Sequence, residues 1–256
     1  MVKAVFFDVD GTLIDHTTGR VPESTLESLE ALRRKGILIA LATGRHVTEF
    51  EYLPIRDIDF DGYVIDNGQI CLDREKNLLW GAPLSPESSA ELVRIFRGKS
   101  LPLILVESNR MYINFVDDTV RNALADISSP PPPVEEYQGG PLYQATSFLT
   151  HDQAAQLARR LPGAKITWWH PKGIDIIPQG GSKSIGIQRF LDVFHISVEE
   201  TMAFGDGEND MEMLDYVGLG VAMGNAPEKV KQAADYVTLP VDQGGIHHAL
   251  RHFGLI

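Results

Sequence analysis

The sequence contains a single cysteine, Cys71, among its 256 residues, so no intramolecular disulfide can form. A lone thiol is typical of a reducing compartment, where disulfides rarely persist. We therefore expect a cytoplasmic protein in which Cys71 is a core residue.

Long apolar runs are also missing near the start of the chain, where only Ala4 to Phe7 are consecutively apolar before Asp8. A signal peptide needs an apolar region of about 7 to 15 residues, and a membrane-spanning helix needs about 20. This segment is too short for either, so the sequence predicts neither a signal peptide nor a membrane partner.

Positive charge is scarce, because 23 Lys and Arg residues face 35 Asp and Glu residues, for a net charge of -12. Nucleic-acid binding depends on many cationic side chains that displace counterions, so nucleic acid is not an expected partner. An acidic protein repels anions, so phosphate esters would have to be held locally by a metal ion or a few placed cations.

Strand-like and helical patterns alternate at the start of the chain. Val2 to Phe7 and Ile37 to Ala42 are apolar runs of strand length, and a helical pattern lies between them. This β-α-β order predicts two parallel strands buried between helices. In the helix we expect Leu26, Leu29 and Leu32 to share the buried face.

The pattern changes to that of a separate α+β unit at about residues 83–180, where a helix capped by Ser85 is followed by short strands and a proline run. Parallel-sheet patterning then resumes. We predict an α/β fold in which residues 1–82 and 181–256 form a Rossmann-like core, with a parallel sheet and helices on both faces. Residues 83–180 would form an inserted α+β cap domain.

Two carboxylates follow the first predicted strand. Asp8 and Asp10 are two residues apart, and side chains at that spacing in an extended segment leave on the same side. Gly11 allows a tight turn, whose amides can cradle phosphate oxygens. A solvated turn would show the same pattern, so this segment alone does not establish a site.

A second acidic segment, GDGEND at residues 205–210, follows another predicted strand. Clustered carboxylates repel one another unless a cation lies among them. Mg²⁺ prefers carboxylates, waters and phosphate oxygens, whereas zinc sites are usually built from His or Cys. The twelve-residue loop of an EF-hand, with its final glutamate, is absent. The predicted cofactor is therefore Mg²⁺.

Four motifs together resemble those of phosphatases of the haloacid dehalogenase superfamily, in order and in spacing. They are DVDGTL at residues 8–13, TGR at residues 43–45, Lys183, and GDGEND at residues 205–210. Asn67-Gly68, the segment GVAMGNA at residues 220–226 and the inserted unit resemble the Cof-type branch, which has a type C2B cap. The third motif departs slightly, because GSKS at residues 181–184 stands where the family commonly has a Lys-Gly pair.

The resemblance implies a covalent mechanism. Asp8 would attack phosphorus to give an aspartyl phosphate, which water then hydrolyses. Asp10 would protonate the leaving alcohol and then deprotonate the water. Asp8, Asp206 and the backbone carbonyl of Asp10 would bind the metal.

The same resemblance implies a set of residues around the phosphoryl group. Contacts to its oxygens are expected from Val9, Thr43, Gly44, Lys183 and Asn209. Supporting roles are expected from Thr12, Arg45, Asp210 and Asn225, with Asp210 orienting the metal ligands. Arg45 could instead pair with neighbouring carboxylates, and Asn225 could simply end a turn.

The function implied is a magnesium-dependent phosphatase of small phosphorylated metabolites, such as sugar or cofactor phosphate monoesters. Two alternatives remain open at this point: a phosphomutase that passes the phosphoryl group to a second hydroxyl, and a non-catalytic sensor of phosphorylated metabolites. The motifs do not indicate the physiological substrate or the oligomeric state.

Overall fold

The protein is described by a computed structural model that covers residues 1–127 and 129–256. Contacts divide it into two compact units. The first contains Met1–Arg45, Leu53–Trp80 and Ser182–Ile256, and the second contains His46–Tyr52 and Gly81–Gly181. The short segment at residues 46–52 thus belongs with the inserted region rather than with its neighbours in sequence.

Strands and helices alternate along the described residues. The strands are β1 (Ala4–Phe7), β2 (Leu38–Ala42), β3 (Gly62–Ile65), β4 (Ile70–Asp73), β5 (Leu78–Gly81), β6 (Leu103–Val106), β7 (Met111–Ile113), β8 (Gln144–Phe148), β9 (Ala164–His170), β10 (Gly173–Pro178), β11 (Thr201–Gly205), β12 (Gly220–Ala222) and β13 (Tyr236–Val237). The α-helices are α1 (Glu23–Arg34), α2 (Pro86–Gly98), α3 (Asp118–Asp126), α4 (His151–Ala158), α5 (Lys183–Phe194), α6 (Met211–Tyr216), α7 (Glu228–Lys231) and α8 (Gly245–His252). None of these helices is both long enough and apolar enough to cross a bilayer.

The first unit is built on a sheet of eight strands in the order β13-β12-β11-β1-β2-β3-β4-β5. The strands from β13 to β3 run parallel, and β4 is antiparallel to β3. From β1 the chain continues to β2 on one side, and it later returns to β11 on the other. Such a reversal leaves a crevice at the carboxyl ends of the strands. The predicted α/β fold with a parallel sheet is confirmed.

The core of this sheet explains why its strands are unbroken apolar runs. All four residues of β1 are buried. Phe6 lies in a cluster with Ile187 and Phe190 of α5 and with Met213 of α6. Cys71 is buried in the same cluster, which confirms that it is a core residue. Helices packed on parallel strands require apolar side chains on the strand faces.

Helix α1 corrects one detail of the predicted buried face. Leu29 and Leu32 are buried, but Leu26 is 40% exposed. Thr25 and Ser28 are buried instead. Each helical residue turns by about 100°, so positions i and i+6 lie about 120° apart and do not share one narrow face.

The second unit contains an antiparallel sheet of five strands in the order β7-β6-β8-β10-β9. Side chains of α2 and α4 pack with one group of its strand residues, and α3 packs with another group that includes Ile104 and Phe148. Ser85 caps α2, as predicted, by accepting a hydrogen bond from the amide of Ser88. Helix α3, which begins after the cap residue Asp117, was not predicted.

We expect Phe190→Ala to lower the free energy of unfolding by about 3 to 5 kcal/mol, because it leaves a cavity where a large ring was removed. Phe190 is fully buried, and its ring lies edge-on to Phe6 at a centroid distance of 5.6 Å. Urea unfolding followed by circular dichroism measures the change. Val193→Ala on the same helix is the control, because Val193 is 47% exposed. Equal losses in the two variants would contradict this description of the core.

Candidate active site

The predicted site residues meet at the carboxyl ends of neighbouring strands of the first unit. Asp8 directly follows β1, Thr43 follows β2 and Asp206 follows β11. Phe7 of β1 pairs with both Leu41 of β2 and Phe204 of β11, so these strand ends lie at the same level of the sheet. Segments far apart in sequence therefore supply one site.

Lys183 is the first residue of α5, and Ser182 caps this helix by accepting a hydrogen bond from the amide of Ile185. The lysine side chain is fully buried. Its Nζ donates to Asp8 Oδ1 at 2.6 Å and to Asp210 Oδ1 at 2.6 Å. Burial lowers the pKa of Lys183, but the charges of Asp210 and Asp8 outweigh this effect and raise the pKa above its ordinary value. The lysine is therefore a buried cation held between two carboxylates.

Three carboxylates form a compact cluster around this lysine. Among the described residues, Asp8, Asp206 and Asp210 each offer an oxygen, and these oxygens lie within 4.8 Å of one another. Burial raises the pKa of Asp8 well above its ordinary value, opposed by Lys183 and assisted by the neighbouring carboxylates. Burial also raises the pKa of Asp206 to about 7, and the charge of Asp210 adds to this effect. Both shifts show that this environment disfavours further negative charge.

The chemistry of this cluster fits a divalent cation. A single ammonium group faces three carboxylates, so the charge remains unbalanced when all of them are ionised. All three ligand groups supply oxygen, the donor that Mg²⁺ prefers. A cation at this place would offset the burial and the repulsion that raise the pKa of Asp8 and Asp206. The residues present therefore suit Mg²⁺.

Thr12 and Asn225 hold the carboxylate of Asp206. Thr12 Oγ1 donates to Asp206 Oδ1 at 2.8 Å, and Asn225 Nδ2 donates to Asp206 Oδ2 at 3.2 Å. Asn225 Nδ2 also donates to the carbonyl of Gly11 at 2.9 Å. Gly11 has a φ of +83°, and a Cβ there would collide with the Asp206 carboxylate. Asn225 therefore does more than end a turn, because it links the loops after β1 and β11.

Asp210 is completely buried and uses both of its carboxylate oxygens. Oδ2 accepts hydrogen bonds from the amides of Asp206 at 2.9 Å and Gly207 at 2.8 Å, while Oδ1 binds Lys183. The sequence predicts Asp210 to orient the metal ligands. Its link to Lys183 is an additional contact that the motif does not reveal.

Asp10 lies outside the carboxylate cluster and pairs with Arg45. Arg45 Nε donates to Asp10 Oδ2 and Nη2 donates to Asp10 Oδ1, both at 2.8 Å. The guanidinium is 6% exposed, whereas the Asp10 side chain is 29% exposed. Of the two roles considered for Arg45, pairing with a carboxylate is therefore observed. The metal contact expected from the Asp10 carbonyl stays a prediction.

Asn67 lies beside the expected phosphate-binding residues, a role that the sequence motifs do not assign to it. Its amide donates to the carbonyl of Thr43 at 3.0 Å, and its Oδ1 accepts from Asn209 Nδ2 at 3.0 Å. A Cβ on Gly44 would lie 3.1 Å from Asn67 Oδ1. In the sequence, the feature that indicates this position is the polar Asn67-Gly68 pair after the end of β3. Phosphate contacts by Val9, Thr43, Gly44 and Asn209 stay predictions.

The raised pKa of Asp206 leads to a prediction about stability. Its pKa is about 7 in the folded state against 3.8 ordinarily, so the folded protein binds more protons than the unfolded chain. This contribution to stability is present at low pH and is lost as the pH rises through about 7. With EDTA, we expect the free energy of unfolding to fall between about pH 4 and pH 7, and Mg²⁺ to reduce the fall.

Denaturant titrations with EDTA and with Mg²⁺ measure this effect. Asp206→Asn is the matched control, because it keeps the shape of the side chain and removes the titrating group. We expect a shallower pH dependence in this variant. An identical fall with and without Mg²⁺ in the unmodified protein would show that the cluster does not bind the ion.

Comparisons with known proteins agree with this geometry. Residues 5–250 match the family model of haloacid dehalogenase-like hydrolases. The chain is 32% identical over 258 residues to a protein of Bacillus subtilis (strain 168) named "Putative phosphatase YkrA", covering 99% of this chain and 98% of that protein. The solved structure of the HAD subclass IIB sugar phosphatase BT4131 is 36% identical, with a TM-score of 0.88 and full coverage of both chains.

A further solved structure, reported to show a conserved trigonal-bipyramidal intermediate in a phosphoryl-transfer superfamily, is 35% identical with a TM-score of 0.91 over both full chains. The family match spans nearly the whole chain, and it includes the strands that carry Asp8, Thr43 and Asp206. The chain therefore belongs to the haloacid dehalogenase-like hydrolases and is a phosphatase of that superfamily.

Proposed function

We propose that this phosphatase depends on Mg²⁺ and hydrolyses phosphate monoesters of small metabolites through a phosphorylated Asp8. One observation carries the proposal: Asp8 lies at the end of the central strand β1, bound to Lys183 at 2.6 Å and clustered with Asp206 and Asp210. A carboxylate held beside a cation and within a metal-ligand cluster is suited to attack an anionic phosphoryl group.

Asp8 acts as the nucleophile. Its attack on phosphorus releases the alcohol and forms an acyl phosphate, so one difficult displacement becomes two easier ones. The Lys183 ammonium neutralises part of the negative charge, and this reduces the repulsion between an anionic nucleophile and an anionic ester. Asp8 and Asp206, with Asp210 beside them, would hold Mg²⁺. When bound, the ion supplies further charge neutralisation between the nucleophile and the phosphoryl oxygens.

Asp10 transfers the protons. It would first donate a proton to the leaving alcohol and then accept one from the water that attacks the acyl phosphate. Arg45 holds both carboxylate oxygens of Asp10, which fixes the plane of the carboxyl group. The partial exposure of Asp10 leaves it accessible to a leaving group and to water.

The remaining loop residues would bind the phosphoryl oxygens. Lys183, Thr43 and Asn209 provide side-chain donors, and the amides of Val9 and Gly44 provide backbone donors. Donors that are already oriented lower the barrier because they need no reorganisation as charge develops in the transition state. The contacts of Asn67 to the Thr43 carbonyl and to Asn209 support this preorganisation.

The substrate class proposed is sugar phosphates and cofactor phosphates. The similarity to a structure described as a sugar phosphatase supports the first of these. The inserted region, residues 83–180, would act as the cap domain and select among leaving groups. Phosphate release from a panel of phosphorylated metabolites, with Mg²⁺ and with EDTA, tests the class. Transfer of phosphate to a second sugar hydroxyl in place of release would favour a phosphomutase.

Asp8→Asn should abolish turnover and leave the fold intact, because an amide cannot attack phosphorus and has nearly the same shape. The measurement is phosphate release at saturating substrate, with circular dichroism to check folding. Asp57→Asn is the matched control, because the Asp57 side chain is 87% exposed. Turnover near that of the control would exclude Asp8 as the nucleophile.

Asp10→Ala should separate the two proton transfers. With an aryl phosphate whose leaving group needs no proton, the first step should be largely unaffected. Hydrolysis of the acyl phosphate still needs a base, and its loss typically costs about 10² to 10⁴ in rate. Rapid mixing should therefore show a burst of aryl alcohol approaching one equivalent per site, with phosphate released later. Equal, slow release of both products would mean that Asp10 shapes the site and does not transfer protons.

A further inference from the structure

The residues that directly follow Arg45 form a short, well-anchored turn. His46 precedes a 3₁₀ helix at Val47–Tyr52. The Oε2 atom of Glu49 accepts a hydrogen bond from the amide of His46 at 2.9 Å. That N–H belongs to the peptide bond whose carbonyl is contributed by Arg45. Glu49 therefore holds the backbone immediately after the arginine that pairs with Asp10.

The backbone of Arg45 is fixed from several directions. Its amide donates to Thr43 Oγ1 at 3.1 Å, and its carbonyl accepts from the amide of Asp66 at 3.3 Å. Glu49 binds the N–H of His46, which belongs to the same peptide unit as the Arg45 carbonyl. The guanidinium of Arg45 then reaches both oxygens of Asp10. The backbone contacts thus limit the positions from which the Arg45 side chain extends to Asp10.

His46 anchors the turn in which Glu49 lies. Its side chain is 1% exposed, and its Nδ1 accepts from the amide of Thr48 at 3.3 Å and lies 2.8 Å from Thr48 Oγ1. Burial lowers the pKa of His46 to about 4, against the opposing charge of Glu49. The ring is therefore neutral near neutral pH and serves as a fixed acceptor that holds the turn in place.

The second carboxylate oxygen of Glu49 is also bound. Ser129 Oγ donates to Glu49 Oε1 at 3.1 Å. With one oxygen on Ser129 and the other on the His46 amide, the carboxylate has a defined orientation. A hydrogen bond from an amide to a charged carboxylate is stronger than one between neutral groups. The Glu49 contact is therefore a firm constraint on the Arg45–His46 peptide.

We propose that Glu49 is a positioning residue for proton transfer, because it fixes the Arg45–His46 peptide and through it the guanidinium that orients Asp10. The inference rests on the proposed function, in which Asp10 is the acid and base. Glu49 is not one of the three residues that form the carboxylate cluster. Its removal should therefore impair the steps that need Asp10 and spare those that do not.

The size of the effect follows from geometry. A misplacement of about 1 Å caused by a substitution away from the reacting atoms can cost about 10²-fold in rate. A merely structural role predicts something different. If Glu49 only stabilised the 3₁₀ helix, its loss would lower the melting temperature and slow all substrates by a common factor. The dependence of the rate on the leaving group separates the two roles.

The experiment compares two substrates in single turnovers, with Mg²⁺ present: an alkyl phosphate, whose leaving group must be protonated, and an aryl phosphate with an acidic leaving group. For Glu49→Ala we expect the rate of alcohol release from the alkyl ester to fall by about 10- to 100-fold. Release from the aryl ester should change by less than about threefold. Glu49→Gln should restore the alkyl rate, because its amide oxygen can accept the same hydrogen bond from His46.

Ser129→Ala is the matched control, because it removes the hydrogen bond to Glu49 Oε1 and leaves the bond from the His46 amide to Oε2 in place. It should behave as the unmodified protein does with both substrates. If Glu49→Ala does not fold, Glu49→Asp supplies the same test, because its shorter side chain cannot span the same distance. An equal loss with both substrates, or no loss with either, would overturn the proposal.

Asp10→Ala, measured with the same pair of esters, distinguishes this inference from the proposed function. Asp10→Ala could lose rate selectively with the alkyl ester while Glu49→Ala does not. This result overturns the role of Glu49 and leaves the proposed mechanism standing. An equal effect of Asp10→Ala on the two esters overturns the acid role of Asp10, and the role of Glu49 with it. Selective losses in both variants support both.

Discussion

The buried contact of Lys183 with Asp8 and Asp210 is the interaction on which the rest of the site depends. It joins the end of β1, the start of α5 and the loop after β11, three segments far apart in sequence. Removing one partner of a buried pair typically costs about 3 to 5 kcal/mol, because it leaves an uncompensated charge. The same contact places a cation beside Asp8, the proposed nucleophile, so the stability of the site and its proposed chemistry both depend on this lysine.

The three carboxylates of the cluster carry more negative charge than the single lysine can balance, which destabilises their ionised forms. Burial and mutual repulsion raise the pKa of Asp8 and Asp206, so the cluster is strained when its carboxylates are ionised. Carboxylates perturbed in this way are common at functional sites, where the surrounding structure holds them in place. Here the support comes from Thr12 and Asn225, which hold Asp206 in place, and a bound cation would relieve the repulsion.

The sequence was sufficient to predict the parallel sheet, because its buried strands are apolar runs that end in polar turns. The same pattern indicated that Asp8 and Asp206 follow strands of one sheet, whereas Lys183 was identified only through the family resemblance. Contacts that depend on side-chain packing between distant segments could not be read this way. The pairing of Arg45 with Asp10 remained one of two alternatives until the geometry showed a bidentate contact. The turn at residues 46–52 carried no recognisable pattern, and α3 was missed because its apolar stripe is short.

The proposed mechanism requires two successive displacements at phosphorus, the first by Asp8 and the second by water. The stereochemical course of hydrolysis tests this mechanism, using a thiophosphate ester made chiral at phosphorus with oxygen-18 and hydrolysed in oxygen-17 water, so that the released thiophosphate is itself chiral. Each in-line displacement inverts the configuration at phosphorus, so two displacements should give net retention in the released thiophosphate. Net inversion would mean that water attacks the substrate directly, and it would contradict the phosphorylated aspartate.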